Sequence, residues 1–333
     1  MTITVGRFET DACSNAGLRK RSGEGSLCRT HLTDNNLVAA IRLTTRIRAE
    51  LFLLSLTIVW GSTFVLTKFI LEDASPFVYV AIRFFSASLL FAVFFFRRLR
   101  TISKDGVAKG LVLGVLLFVG FILQTIGLKF TTASKSAFIT GLMVVFTPLF
   151  QLIIERKAPK IGNIVGVVFV AIGLYLLTSP KGSEFNIGDV LTLVCAVLFS
   201  LYTVYLGVYG KDHDPAHLTF IQFVSTAILA AIAIPFLETA RLNVTSLFLL
   251  NLAYLAVMPT VVALYVMAKY QKYTTPTRSA VIYSMEPPIA AIFAFFIIGE
   301  QIGMIGIVGG MMILSGLIVS ELSDVLFTRA KME

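Results

Sequence analysis

From residue 51 onward ten apolar runs follow one another, and nothing constrains the fold of this chain more. They cover residues 51–71, 76–96, 107–128, 134–154, 161–178, 190–209, 216–237, 246–268, 276–298 and 302–321. Each is long enough to cross a hydrocarbon core of about 30 Å as a helix rising about 1.5 Å per residue. The connections are short and carry the charges: Glu72-Asp73, Arg97-Arg98-Leu99-Arg100 with Lys104, Arg156-Lys157-Ala158-Pro159-Lys160, and Lys211-Asp212-His213-Asp214-Pro215. They leave no room for a soluble domain. The sequence predicts an all-α polytopic membrane protein with ten transmembrane helices.

Composition agrees. Of 333 residues, 56% are hydrophobic and only 14% charged, against roughly a quarter charged in soluble domains. The net charge of +9 would suggest nucleic acid in a soluble protein. Here the basic residues fall between apolar runs, where membrane topology explains them, so no nucleic acid is expected. Residues 1–50 are rich in Ser, Thr, Gly, Asn and Arg and are read as a polar disordered tail, whether or not the natural protein includes them. Cys13 and Cys28 lie in that tail and Cys195 in an apolar run, which is no disulfide framework.

The chain also repeats itself. Lys129-Phe130-Thr131-Thr132, two residues, then Lys135-Ser136-Ala137 recurs 143 residues later as Lys272-Tyr273-Thr274-Thr275, two residues, then Arg278-Ser279-Ala280. The same offset carries Gly166 onto Gly309 and Gly173 onto Gly316, and an offset of 139 carries Pro76 onto Pro215 and Phe84 onto Phe223. This marks a duplication, with a first copy over 51–180, a second over 189–322 and a short tail over 323–333. Lys and Arg divide fifteen to three between the two sides, the excess lying on the side of both termini, which places the termini in the cytoplasm. Five spans per copy is an odd number, so the second copy must enter the membrane from the opposite face. The two five-helix repeats are therefore inverted, as in secondary transporters whose site lies near the midplane between the halves.

Trp60-Gly61-Ser62-Thr63-Phe64 in the first span, Pro76 with Arg83-Phe84 in the second, the paired Thr-Thr segments, and Glu286-Pro287 followed by Gly299-Glu300 together resemble the EamA family of the drug/metabolite transporter (DMT) superfamily, over about residues 51–322. The resemblance implies a secondary carrier in the cell (inner) membrane, often an exporter of amino acids or related metabolites. It also implies that helices 1–4 and 6–9 surround a central cavity and that helices 5 and 10 are peripheral. The copies differ: Trp60 falls opposite Phe199 and Arg83 opposite Gln222.

Other function classes find little support. No Gly-x-x-x-x-Gly-Lys-[Ser/Thr] loop is present, and no span offers a Ser/His pair or a His-Glu-x-x-His site, so neither an ATPase, nor an enzyme, nor a cofactor or metal site is expected. A membrane-embedded enzyme and a structural or receptor-like membrane protein are the remote alternatives. A nucleotide-sugar or phosphate-ester carrier is the nearer one, but it would need several basic side chains at depth, and only Arg83 is deep.

The candidate site residues are those whose chemistry is costly in lipid. Glu286 lies roughly 15 Å deep and Arg83 roughly 10 Å down from the other face. An ion at such depth pairs, faces a wet cavity or neutralises. The pair is read either as a structural salt bridge or as the polar centre of a transport site, with Glu286 carrying a coupling proton or both charges binding a zwitterion. Trp60 lies too deep for an interfacial anchor and lines the cavity or packs. Tyr202, Tyr205, Tyr265 and Tyr283 carry hydroxyls into apolar spans and are candidates for the substrate path, against simple packing. Pro287 and Pro288 remove backbone donors beside Glu286, so the ninth span should break there. The Gly162-x-x-x-Gly166, Gly299-x-x-x-Gly303 and Gly306-x-x-x-Gly310 spacings offer smooth helix faces, for internal packing or for a homodimer.

Overall fold

The computed structural model describes residues 24–178, 186–300 and 303–329, with side chains over 43–176, 186–300 and 303–320. Two units divide the chain at residues 47 and 48, and the packing below belongs to the second. Ten helical elements follow in order. They are α1 (Glu24–Asp73), α2 (Pro76–Leu99), α3 (Lys104–Gly127), α4 (Ala133–Glu155), α5 (Ile161–Thr178), α6 (Ile187–Tyr209), α7 (Pro215–Leu237), α8 (Ser246–Tyr273), α9 (Pro276–Ile298) and α10 (Met304–Arg329). Eight are long and apolar enough to cross a membrane, and α5 and α10 contain shorter apolar helices over Ile161–Leu176 and Met304–Ser320.

At both ends the chain is more helical than the sequence predicts. The expected tail is helical from Glu24, and α10 runs on to Arg329. Residues 37–43, Leu-Val-Ala-Ala-Ile-Arg-Leu, are mostly good helix formers with no Gly or Pro to stop them. Residues 1–23, most of the 179–188 connection and residues 330–333 lie outside the described residues.

The repeated motif has a physical reason. In each copy its second threonine caps a helix, Thr132 accepting from the Lys135 N–H at 3.1 Å and Thr275 from the Arg278 N–H at 3.3 Å. Its first threonine and its basic residue hold an acid from the first helix of the other copy. Thr131 donates to Asp189 at 2.9 Å and Lys135 pairs with it at 2.7 Å. Thr274 donates to Glu50 at 3.0 Å, and Arg278 grips the same carboxylate through Nε and Nη2 at 2.7 and 3.0 Å. All four ionised side chains are buried or nearly so. Asp189 follows Glu50 by 139 residues, so these are the same staple built twice.

The equivalent helices α5 and α10, and α2 and α7, lie antiparallel against each other, which is the geometry of an inverted repeat. In α5 and α10, Gly166 meets Gly316 and Gly173 meets Gly309 so closely that a Cβ on Gly166 or Gly173 would lie 2.8 or 2.6 Å from the facing carbonyl oxygen. Gly303 and Gly310 face open space. The glycines thus serve internal packing at the pair related by the 143-residue offset. In α2 and α7, Glu238 just after the end of α7 accepts from the Phe77 and Val78 N–H groups at the start of α2, at 3.2 and 3.0 Å.

Candidate functional site

Two helices are broken at equivalent places. α4 divides at Leu142 into Ala133–Gly141 and Met143–Glu155, and α9 divides after Tyr283, at Ser284-Met285, into Pro276–Tyr283 and Glu286–Ile298. Pro287 and Pro288 cannot donate to the carbonyls four residues back, so α9 breaks where the sequence predicts. The α4 break has no proline at the equivalent place, Pro148 lying further along the helix; the Met143 carbonyl just after the break accepts from Ser200 on α6 at 3.1 Å and from Thr147 Oγ1 at 2.7 Å. A Cβ on Gly141 would lie 2.8 Å from the Pro287 ring, so the two breaks touch.

A third irregularity lies in α8. Residues Val257–Val262 form a π-helical turn around Pro259. Pro259 has no N–H for the Leu255 carbonyl, and Thr260 Oγ1 supplies that bond instead at 2.7 Å. The Pro259 carbonyl in turn accepts from Trp60 Nε1 at 3.1 Å. Such turns recur at functional sites because they re-aim side chains.

Between these irregular segments lies a cavity of about 70 Å³ lined by α1, α2, α3, α4, α6, α8 and α9. A single water needs roughly 10–15 Å³ by this measure, so the space takes several waters or a small solute. Its wall follows the duplication. Trp60 and Phe199, and Thr63 and Tyr202, stand 139 residues apart; Phe121 and Leu264, Gln124 and Met267, and Met143 and Glu286 stand 143 apart, and all ten line it. The positions are symmetric while the chemistry is not, since the acid Glu286 faces a thioether at the equivalent place.

Arg83 is fixed before anything binds. Its Nε donates to Thr260 Oγ1 at 2.8 Å, its Nη1 to the Tyr79 hydroxyl at 2.9 Å, and its guanidinium lies 4.9 Å from the Phe121 ring centroid. Among the described residues Nη2 makes no hydrogen bond, which leaves one edge of the fork for the cavity. Glu286 lines the same cavity, and among the described residues its carboxylate has no hydrogen bond or ion pair. The salt bridge weighed from the sequence is therefore not formed: each charge faces the cavity separately. Thr203 adds a buried hydroxyl on the same wall that has no partner among the described residues.

Of the other expected residues, Trp60 and Tyr202 line the cavity, with Tyr202 donating to Gln222 of α7 at 2.9 Å. Tyr205, Tyr265 and Tyr283 are not in its wall. Tyr205 stacks on Tyr209, Tyr265 packs on Phe91 and Phe95, and Tyr283 lies edge-on behind Trp60 and donates to Gln271 at 2.9 Å. Leu264 and Met267, the repeat mates of Phe121 and Gln124, face the cavity in place of Tyr265. α7 stands one step back from the cavity. Gln124, Met143, Thr203 and Thr260 were not singled out by sequence. For Met143 the signal lay in the offset, since it stands opposite Glu286.

A duplicated bundle of ten helices, broken at its centre around a small cavity lined by an arginine and a glutamate that do not pair, is an architecture suited to moving a solute across a membrane. Comparisons with known proteins agree. The EamA-like transporter family matches residues 47–179 and again 186–322, so the chain belongs to that family and carries its domain twice. An uncharacterized transporter of Archaeoglobus fulgidus is 31% identical over 279 residues, 83% of this chain and 87% of the relative. The uncharacterized transporter YoaV of Bacillus subtilis is 22% identical over 86% of this chain and 99% of its own length. A crystal structure 18% identical in sequence superposes with a TM-score of 0.69 over 83% of this chain and 97% of the other, which shows a shared fold.

Proposed function

We propose that this transporter is a secondary carrier that exports amino acids or related small zwitterionic metabolites across the cell membrane by alternating access. One observation carries the reading: Glu286 and the free edge of Arg83 open on one cavity without pairing. Two opposite charges held apart match the ammonium and carboxylate of one solute, while Trp60, Phe121 and Phe199 give it apolar faces. A nucleotide-sugar or phosphate-ester carrier would need more positive charge, and among the lining residues Arg83 alone is basic.

Between solutes, Glu286 has no cation to neutralise it, and an unpaired carboxylate in such a place is costly. A proton taken up when the solute leaves meets that need, and this is the coupling we assign to it. Replacement of Glu286 by Gln then abolishes the dependence of transport on pH together with most of the transport. Both termini face the cytoplasm in this reading, as the charge bias directs.

A metabolomic comparison of medium and cytosol, in cells overproducing or lacking the protein, tests the assignment. A zwitterion enriched in the medium on overproduction and retained in the cytosol on deletion is the expected result. Accumulation of phosphate esters instead would overturn it.

A further inference from the structure

The Gly299-Glu300 pair plays no part in the cavity, and its placement suggests another role. Gly299 closes α9 in the left-handed region at φ 71°, with its N–H bonded to the Phe295 carbonyl and the Glu300 N–H to the Ala294 carbonyl. This reversal turns Glu300 onto the first turn of α4. There its carboxylate accepts from the Ala133 and Ser134 N–H groups, both at 3.2 Å, and from the Ser134 hydroxyl. At the opposite face the relation is reversed. Gln151, near the end of α4, accepts through Oε1 from the Thr277 N–H and hydroxyl at the start of α9, at 3.0 and 2.6 Å. Thr277 is the repeat mate of Ser134, 143 residues on. The seam between α4 and α9 is thus clasped once at each face, with Thr140, Met143 and Glu286 of the cavity wall between the clasps.

We propose that Glu300 with Ser134, and Gln151 with Thr277, are the two gate contacts of the carrier and that their unlike chemistry sets its resting state. This rests on the alternating-access reading: a path from the cavity to one face along the seam opens only when the clasp at that face parts. One clasp is a carboxylate on a helix N-terminus with three donors, and the other is a neutral amide oxygen with two. Charge-assisted hydrogen bonds are roughly twice as strong as neutral ones, and the helix dipole favours the anion further. The Glu300 clasp therefore holds more firmly, and the resting carrier opens toward the face of Arg156 and Lys211. Glu300 and Gln151 touch no solute in this role; they are positioning residues.

Pulsed electron resonance distances on the purified full-length protein, without any solute, test this independently of whether transport is found. One pair of spin labels at Lys129 and Gly303 reports the Glu300 face, and one at Lys157 and Tyr273 reports the Gln151 face. All four positions are exposed. Glu300→Gln should raise the long-distance population of the first pair about tenfold and lower that of the second. Gln151→Ala should do the reverse, and Ser134→Ala, which keeps both backbone donors, should shift the first pair in the same direction as Glu300→Gln by less. An unchanged first pair in folded Glu300→Gln, or equal lengthening of both pairs, overturns the proposal. Should Glu300→Gln fail to fold, Ser134→Ala decides by the same criterion.

Discussion

At the scale of single residues, two side chains of opposite charge share a cavity without meeting, and other side chains keep them apart. Arg83 is pinned by Thr260, and Thr260 can do so because Pro259 left the Leu255 carbonyl open to its hydroxyl. Thr260→Val keeps the shape and removes both bonds. Hydrogen bonds to charged groups contribute roughly 1.5–3 kcal/mol, so solute affinity should fall about tenfold or more. Half-saturation of flux measures this, and the maximal rate should change less. Glu286, Arg83 and Trp60 were legible because Glu, Arg and Trp are conspicuous in an apolar run, whereas Phe121 and Phe199 were lost among the many phenylalanines. Thr260 and Thr203 were not legible either, since a threonine inside a membrane helix can bond its own backbone, as Thr260 does, and so carries no warning of a role. Tyr265 was singled out for its hydroxyl, which does not say which face carries it, and its ring packs on Phe91 and Phe95 instead.

At the scale of elements, the Thr-Thr-x-x-basic motif was legible as a repeat but its partners were not. Glu50 was read into the polar tail because it precedes the first apolar run, yet it is buried against Arg278. Its equivalence to Asp189 across 139 residues was the missed signal. Removing one member of a buried ion pair costs roughly 3–5 kcal/mol, whereas replacing both by apolar residues is often neutral. Arg278→Met alone should therefore lower the thermal midpoint in detergent strongly, and Glu50→Leu with Arg278→Met should recover most of the loss. Equal losses in the single and double variants would show that the ion pair itself is not what the fold depends on. Where α5 and α10 meet, Gly173→Leu drives a side chain into the Gly309 carbonyl and Ile313. Overpacking of this kind costs about 1–3 kcal/mol, again read from the thermal midpoint. Gly310→Leu, facing open space, should leave it unchanged.

At the scale of the whole molecule, the ten-helix duplicated fold was legible because lipid allows so few backbone solutions: apolar run lengths fix the number of helices, and an odd number per copy fixes the inversion. The antiparallel contacts of α5 with α10 and of α2 with α7 follow from it. What run lengths cannot carry is where helices break, for α4 contains Pro148 and yet divides ahead of it, at Leu142. With both termini assigned to the cytoplasm, single cysteines in the 72–75 connection should react with an impermeant reagent from outside the cell. Reaction from the cytosolic side alone would reverse the assigned orientation. In the proposed cycle the two charges of the cavity bind and move a zwitterion without ATP. Flux of the metabolite found in the medium, measured in sealed proteoliposomes for the wild-type chain and for Glu286→Gln of matched thermal midpoint, tests this. Downhill flux and counterflow are expected in the wild type, driven further by a proton gradient, with loss of most flux in the variant. Normal, pH-dependent flux through folded Glu286→Gln would contradict it.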